Sequence, residues 1–178
     1  MTSNDDTEFD SARESDLRAR VGQYVVGSVE GRGVRVGIAC GRFNGGVTTR
    51  LLEGTLSALS QHGVDRSDVT IAWAPGAFEL PLVARGFAIG DQVDVVITLG
   101  AVIRGDTGHY DVVAGECARG VQEVQLATGV PVVFGVLTTN TVEQALERSL
   151  PDETNKGRES ALTALEMVNL LRHRVFTS

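Results

Sequence analysis

Apolar positions in this chain alternate between two forms: short unbroken runs of Val, Ile and Leu, and longer stretches in which apolar residues recur every three or four positions. The first form predicts strands at 34–39, 69–74, 94–103 and 132–137. The second predicts helices at 47–62, 78–89, 110–128, 142–148 and 157–176. Gly63 and Gly129 follow two of these helices and serve as their stops. Continuous rather than alternating hydrophobicity marks strands buried on both faces, and a strand–helix–strand order requires right-handed crossovers.

The predicted fold class is therefore α/β: a three-layer α/β/α sandwich, flavodoxin-like, with a four-stranded parallel sheet. A further β-like run, Gln23-Tyr-Val-Val-Gly-Ser-Val29, is predicted as an extra N-terminal strand, at the sheet edge or paired with a partner chain. Ahead of it, within residues 1–16, Asp5, Asp6, Glu8, Asp10, Glu14 and Asp16 stand against Arg13 alone, and residues 1–20 read as an acidic tail without fixed structure. Residues 21–178 read as a single domain.

Composition narrows the function classes. A formal net charge of −7 with no run of basic residues argues against nucleic acid, and 5% aromatic content argues against a base-stacking platform. The expected ligand is a small molecule. Cys40 and Cys117 form no C-x-x-C pair and lie at no metal-ligand spacing from a histidine, so they read as reduced, buried fillers in a reducing compartment. No apolar run approaches the roughly 20 residues that span a bilayer, and the first residues lack a signal peptide's basic start and apolar middle. The expectation is a cytoplasmic protein with no membrane partner.

In parallel α/β sheets ligands sit beyond the carboxyl ends of the strands. The segments that follow the four predicted strands are Cys40-Gly-Arg-Phe-Asn-Gly-Gly46, Pro75-Gly-Ala-Phe-Glu-Leu-Pro81, Gly100-Ala-Val-Ile-Arg-Gly-Asp-Thr-Gly-His109 and Thr138-Thr-Asn-Thr141, each rich in turn-forming or polar residues. The third brings a titratable imidazole, His109, to a helix start, where unpartnered amides and the helix dipole favour an anion. Two familiar phosphate loops are excluded. Gly41 and Gly46 have Walker spacing, but Val47 and Thr48 follow where Lys and then Ser or Thr are needed, and the Gly31–Gly33 pair precedes a strand instead of following one.

Taken in order, these clusters resemble the lumazine synthase family over residues 34–171. The resemblance rests on Gly41-Arg-Phe-Asn44, Pro75-Gly-Ala-Phe-Glu-Leu-Pro81, Gly100-Ala-Val-Ile-Arg-Gly-Asp-Thr-x-His109, Phe134-Gly-Val-Leu-Thr-Thr139, Glu143-Gln-Ala-Leu-Glu-Arg148, Asn155-Lys-Gly157 and Ala164-Leu-Glu-Met167. It implies condensation of 5-amino-6-(D-ribitylamino)uracil with 3,4-dihydroxy-2-butanone 4-phosphate to 6,7-dimethyl-8-ribityllumazine, with release of phosphate and water. The implied route is a Schiff base, phosphate elimination and ring closure, with no cofactor and no metal.

The same resemblance implies the roles of individual residues. His109 matches the proton-transferring histidine and Arg148 the phosphate-binding arginine, which arrives from a neighbouring subunit. Phe43 and Asn44 match positions at the pyrimidinedione, Ala77, Phe78 and Glu79 the ribityl side, Ala101, Val102 and Ile103 the ring lining, and Asp106 and Thr107 the phosphate loop. Phe134 and Lys156 match residues that reach the pyrimidine from the adjacent subunit. On local sequence alone Phe43 and Phe134 read equally as core residues, Arg148 and Lys156 as solvated ones, and Asp106, Thr107 and His109 as an ordinary helix start.

Oligomerisation follows from the resemblance: a homopentamer, with a decamer or a sixty-subunit shell as larger forms, and riboflavin synthase as a protein partner. Ser149-Leu-Pro-Asp-Glu-Thr154 departs from the glycine- and lysine-containing linker of shell-forming members and favours a free pentamer or pentamer pair; Gly108 stands where many relatives carry proline. Two other classes remain: a non-catalytic flavin- or lumazine-binding relative, which has little reason to keep both His109 and Arg148, and an archaeal-type riboflavin synthase, which consumes dimethylribityllumazine.

Overall fold

The computed structural model describes residues 11–176; the first ten positions of the acidic tail lie outside the described residues. The remainder of that tail departs from expectation, because Ser11–Arg18 forms a helix, α1, with Arg18 paired to Glu14 one turn away.

Four strands form the sheet: β1 (Val36–Gly41), β2 (Val69–Ala74), β3 (Val95–Ile103) and β4 (Val132–Thr139). They are all parallel, in the order β2-β1-β3-β4. The chain moves outward from β1 to β2 and then crosses back to β3, so the order reverses between β1 and β3. The helices are α2 (Gly45–Gln61), α3 (Leu80–Ile89), α4 (His109–Thr128), α5 (Val142–Glu147) and α6 (Lys156–Leu171).

Strand alternation sorts the side chains into two cores. Val36, Ile38, Cys40, Val95, Ile97 and Leu99 pack against α2 and α6. Ala39, Val96, Val102 and Val136 pack against α3 and α4. Each fully buried Leu or Ile here contributes about 1.5–3 kcal/mol. Small residues set the spacing of the second layer: Gly37 lies under the Phe87 ring of α3, where a Cβ would come within 2.9 Å of the ring carbon. Both cysteines are free and buried, as expected of fillers. Burial pushes the thiol of Cys40 up to about 12 and that of Cys117 up to about 11.

Element boundaries shift for local reasons. The helix predicted at 78–89 is split into a 3-10 turn, Ala77–Glu79, and α3, because Pro81 occupies the first turn of α3 and starts it afresh. β4 runs on through Thr138 and Thr139, which pair with Val102 and Ile103. The last helix stops at Leu171 instead of 176, where the apolar pattern gives way to Arg172-His173-Arg174.

The extra N-terminal strand does not form within this chain. Residues 23–30 carry no strand pairing, and Gly27 to Glu30 lie against α6. The Asn169 side-chain amide donates to the Ser28 and Glu30 carbonyls (2.8 and 2.9 Å), and Gly27 approaches the Glu166 backbone so closely that any Cβ would collide with its carbonyl. Among the described residues no helix is long and apolar enough to cross a membrane.

Candidate active site

A cavity of about 640 Å³ opens beyond the carboxyl ends of β1, β2 and β3, at the point where the strand order reverses. Each wall is the segment that leaves one strand. Phe43 follows β1; Pro75, Gly76, Ala77, Phe78 and Glu79 follow β2; Ala101, Val102 and Ile103 close β3 and lead to Gly105, Thr107 and His109.

The rings are presented to solvent and not to the core. Phe43 is 72% exposed and Phe78 54% exposed, which removes the core reading of Phe43. Asn44 next to it has φ 58°, a left-handed conformation that Asn tolerates better than most residues. Asn44 does not line the cavity; its Nδ2 donates to the Ala101 carbonyl at 2.9 Å and so fastens the β1 exit to the β3 exit. Glu79 turns one carboxylate oxygen onto the Gly76 amide at 3.0 Å, which orders the wall after β2.

The loop after β3 carries no side-chain cap for α4, since Gly108 precedes the helix. Thr107 Oγ1 accepts from the His109 amide at 3.4 Å, and Asp106 is exposed in the loop without lining the cavity. His109 begins α4 and faces the cavity together with Val112 and Val113. These three lie at i, i+3 and i+4 of one helix, the spacing that puts side chains on a common face. Tyr110, Val112 and Val113 were missed in the sequence; counting helical positions from His109 identifies the two valines.

Arg104 anchors this loop. Its guanidinium forks onto Asp111 (2.9 and 3.3 Å), donates through Nε to Asn140 Oδ1 at 3.2 Å and lies 4.0 Å above the Tyr110 ring. Hydrogen bonding to the Asp111 carboxylate raises the Arg104 pKa above its ordinary value.

Arg148, Phe134 and Lys156 do not line the cavity. Phe134 is 38% exposed on β4 and opens onto a second cleft with Ser160, Glu159 and Met167. Lys156 pairs with Glu159, and its backbone amide donates to the Arg148 carbonyl at 2.9 Å. Arg148 itself is exposed at the end of α5, with Nη1 donating to the Gln144 carbonyl at 3.0 Å. Asn155 fixes this second group. It caps α6 by accepting from the Gly157 and Arg158 amides at 2.8 and 3.2 Å, and its Nδ2 holds the Leu150 carbonyl at 2.8 Å.

One chain thus carries an open cavity with an imidazole and aromatic rings, while Phe134 and the Arg148–Lys156 pair of cations lie outside that cavity. The family model of 6,7-dimethyl-8-ribityllumazine synthase matches residues 33–172, nearly the whole described chain and every wall of the cavity. The family consists of oligomeric transferases that act on small molecules in riboflavin biosynthesis. The chain belongs to the 6,7-dimethyl-8-ribityllumazine synthase family.

Proposed function

We propose that the protein condenses 5-amino-6-(D-ribitylamino)uracil with 3,4-dihydroxy-2-butanone 4-phosphate in the cytoplasm, giving 6,7-dimethyl-8-ribityllumazine, phosphate and water. The observation that carries the reading is the shared cavity of Phe43, Ala101, Ile103, Thr107 and His109. A planar pyrimidinedione stacks on Phe43 against the apolar end of β3, and the ribityl hydroxyls meet the Ala77–Glu79 wall, where the remaining Glu79 oxygen accepts.

The amine of the pyrimidine attacks the ketone, water leaves, and the Schiff base forms. His109 relays protons as phosphate is eliminated, the resulting enol tautomerises to a ketone, and the ribitylamine nitrogen adds to that carbonyl and expels a second water to close the ring. The uncapped start of α4, with Thr107 and the backbone of Asp106, receives the phosphate. Arg148 from the adjacent subunit supplies the charge that a helix start alone lacks, and Phe134 and Lys156 complete the pyrimidine slot from that side. A homopentamer supplies five such junctions; the Ser149–Thr154 linker favours a free pentamer or pentamer pair over a shell, with riboflavin synthase as the enzyme that takes the product.

Incubating the protein with the pyrimidine and the butanone phosphate is the test, with formation of dimethylribityllumazine read by its absorbance. Consumption of added dimethylribityllumazine to give riboflavin, with none formed from the two precursors, would instead identify a riboflavin synthase. In the same assay His109→Ala lowers turnover by about a hundredfold with assembly intact, the scale of lost general acid–base catalysis.

A further inference from the structure

Arg104 touches three elements at once. It follows the last residue of β3, its amide donates to the Thr139 carbonyl at the end of β4 at 2.9 Å, and its side chain grips Asn140 and the first turn of α4 through Tyr110 and Asp111. Between Arg104 and His109 the chain is Gly105-Asp-Thr-Gly108, with a glycine at each end and no side-chain cap on the helix. Within the loop the contacts are to backbone amides: the His109 amide on Thr107 Oγ1 at 3.4 Å and the Asp111 amide on the Gly108 carbonyl at 3.2 Å. The guanidinium fork spans the loop's two ends.

We propose that Arg104 is a positioning residue for the condensation: by clamping Tyr110 and Asp111 to the exits of β3 and β4 it fixes the first turn of α4 and hence the placement of the His109 imidazole in the cavity. A planar fork that bonds bidentately to Asp111, reaches Asn140 and stacks on Tyr110 restrains translation and rotation together. The pair is largely exposed, with Arg104 and Asp111 side chains at 43% and 63%, so it contributes little to overall stability. What it supplies is geometry. Displacing a proton carrier by about an ångström costs up to about a hundredfold in rate, far more than such a contact is worth to folding.

The inference rests on the proposed reaction, and the experiment separates the two. Steady-state lumazine formation is measured for wild type, Arg104→Ala, Arg104→Lys, His109→Ala and the Arg104→Ala/His109→Ala double variant. Circular dichroism and light scattering verify folding and assembly. Arg104→Ala is expected to lower kcat by about ten- to a hundredfold with both KM values within about twofold of wild type. Lys keeps the charge and loses the fork, so Arg104→Lys falls between.

In the His109→Ala background the added Arg104→Ala change is expected to cost less than about twofold, because a group that acts through His109 has nothing left to position. A full multiplicative loss in that background would reveal a merely structural arginine and overturn the proposal. So would a raised KM for the butanone phosphate at unchanged kcat, which marks a direct phosphate contact, or wild-type kcat in Arg104→Ala. If Arg104→Ala does not fold, wild-type kcat in Arg104→Lys overturns it equally. Failure of wild type to make lumazine strikes the reaction itself; normal wild-type turnover beside an indifferent Arg104 strikes the clamp alone.

Discussion

Lys156 donates its backbone amide to the carbonyl of Arg148 at 2.9 Å, so two cations eight positions apart are held on one short bridge between α5 and α6. Neither lines the cavity that contains His109. If each cavity is completed by a neighbour, the two variants His109→Ala and Arg148→Ala are each crippled but complementary. Mixed in equal amounts and allowed to exchange subunits, they form a ring in which about a quarter of the junctions carry both functional residues. Recovered lumazine formation near that fraction is the expected outcome. No recovery after mass spectrometry verifies mixed oligomers would place both residues in one subunit's site.

The role proposed for Arg148 separates the two substrates. A guanidinium directed at phosphate oxygens contributes to binding the butanone phosphate and not the pyrimidine. Arg148→Ala should therefore raise KM for the phosphate substrate by about ten- to a hundredfold, the worth of a charge-assisted hydrogen bond, and change KM for the pyrimidine far less. Equal increases in both would mark Arg148 as structural.

The architecture was largely written in the hydrophobic pattern, because strands buried on both faces leave little freedom in what they can be. β2 was located to the residue, 69–74, and the other strands to within two at each end. The misses have physical causes. Pro81 restarts a helix that periodicity alone extends through 78–89, and the 23–29 run pairs with no strand of its own chain, its Ser28 carbonyl being held by Asn169, 141 positions away, a contact that no local pattern encodes.

Site residues divided the same way. Phe43, Ala77 to Glu79 and Ala101 to Ile103 follow from the rule about strand ends, while the Arg104 fork depends on side-chain directions invisible in the string. Asn44, expected at the substrate, lies instead on the Ala101 carbonyl outside the cavity lining.

Asp94 gives the fold an acid sensitivity with a defined sign. Burial raises its pKa, but hydrogen bonds from Arg35 and the charges of Arg35 and Arg172 outweigh that, leaving it below the ordinary carboxylate value. A folded-state pKa lower than the unfolded one contributes stability above about pH 4, and that contribution is lost as pH falls through the lowered value. Asp94→Asn should thus lower the urea midpoint at pH 7 and flatten its fall between pH 5 and pH 2, limits of about the range over which such a carboxylate titrates. Parallel pH curves for wild type and variant would show that Asp94 is not the group responsible.

Gly157 lets α6 come close against the backbone of α2. A Cβ there would lie 1.9 Å from the Leu51 carbonyl oxygen, and Thr55 Oγ1 lies 2.9 Å from both the Leu51 and Gly157 carbonyl oxygens, so the two helices cannot part without losing the buried Thr55–Gly157 contact. Gly157→Ala is expected to cost about 3 kcal/mol, at the upper end for overpacking, since backbone blocks the methyl and no flexible side chain can yield. Asn155→Ala acts on the same junction differently, removing the α6 cap and orphaning the Leu150 carbonyl for about 2 kcal/mol. Asn155 and Gly157 flank Lys156, so partial loss of the junction also frees the lysine. Chemical denaturation measures the first effect and KM for the pyrimidine the second. A Gly157→Ala protein with wild-type stability would mean that α6 can shift away from α2 at no cost, which the buried Thr55–Gly157 contact argues against.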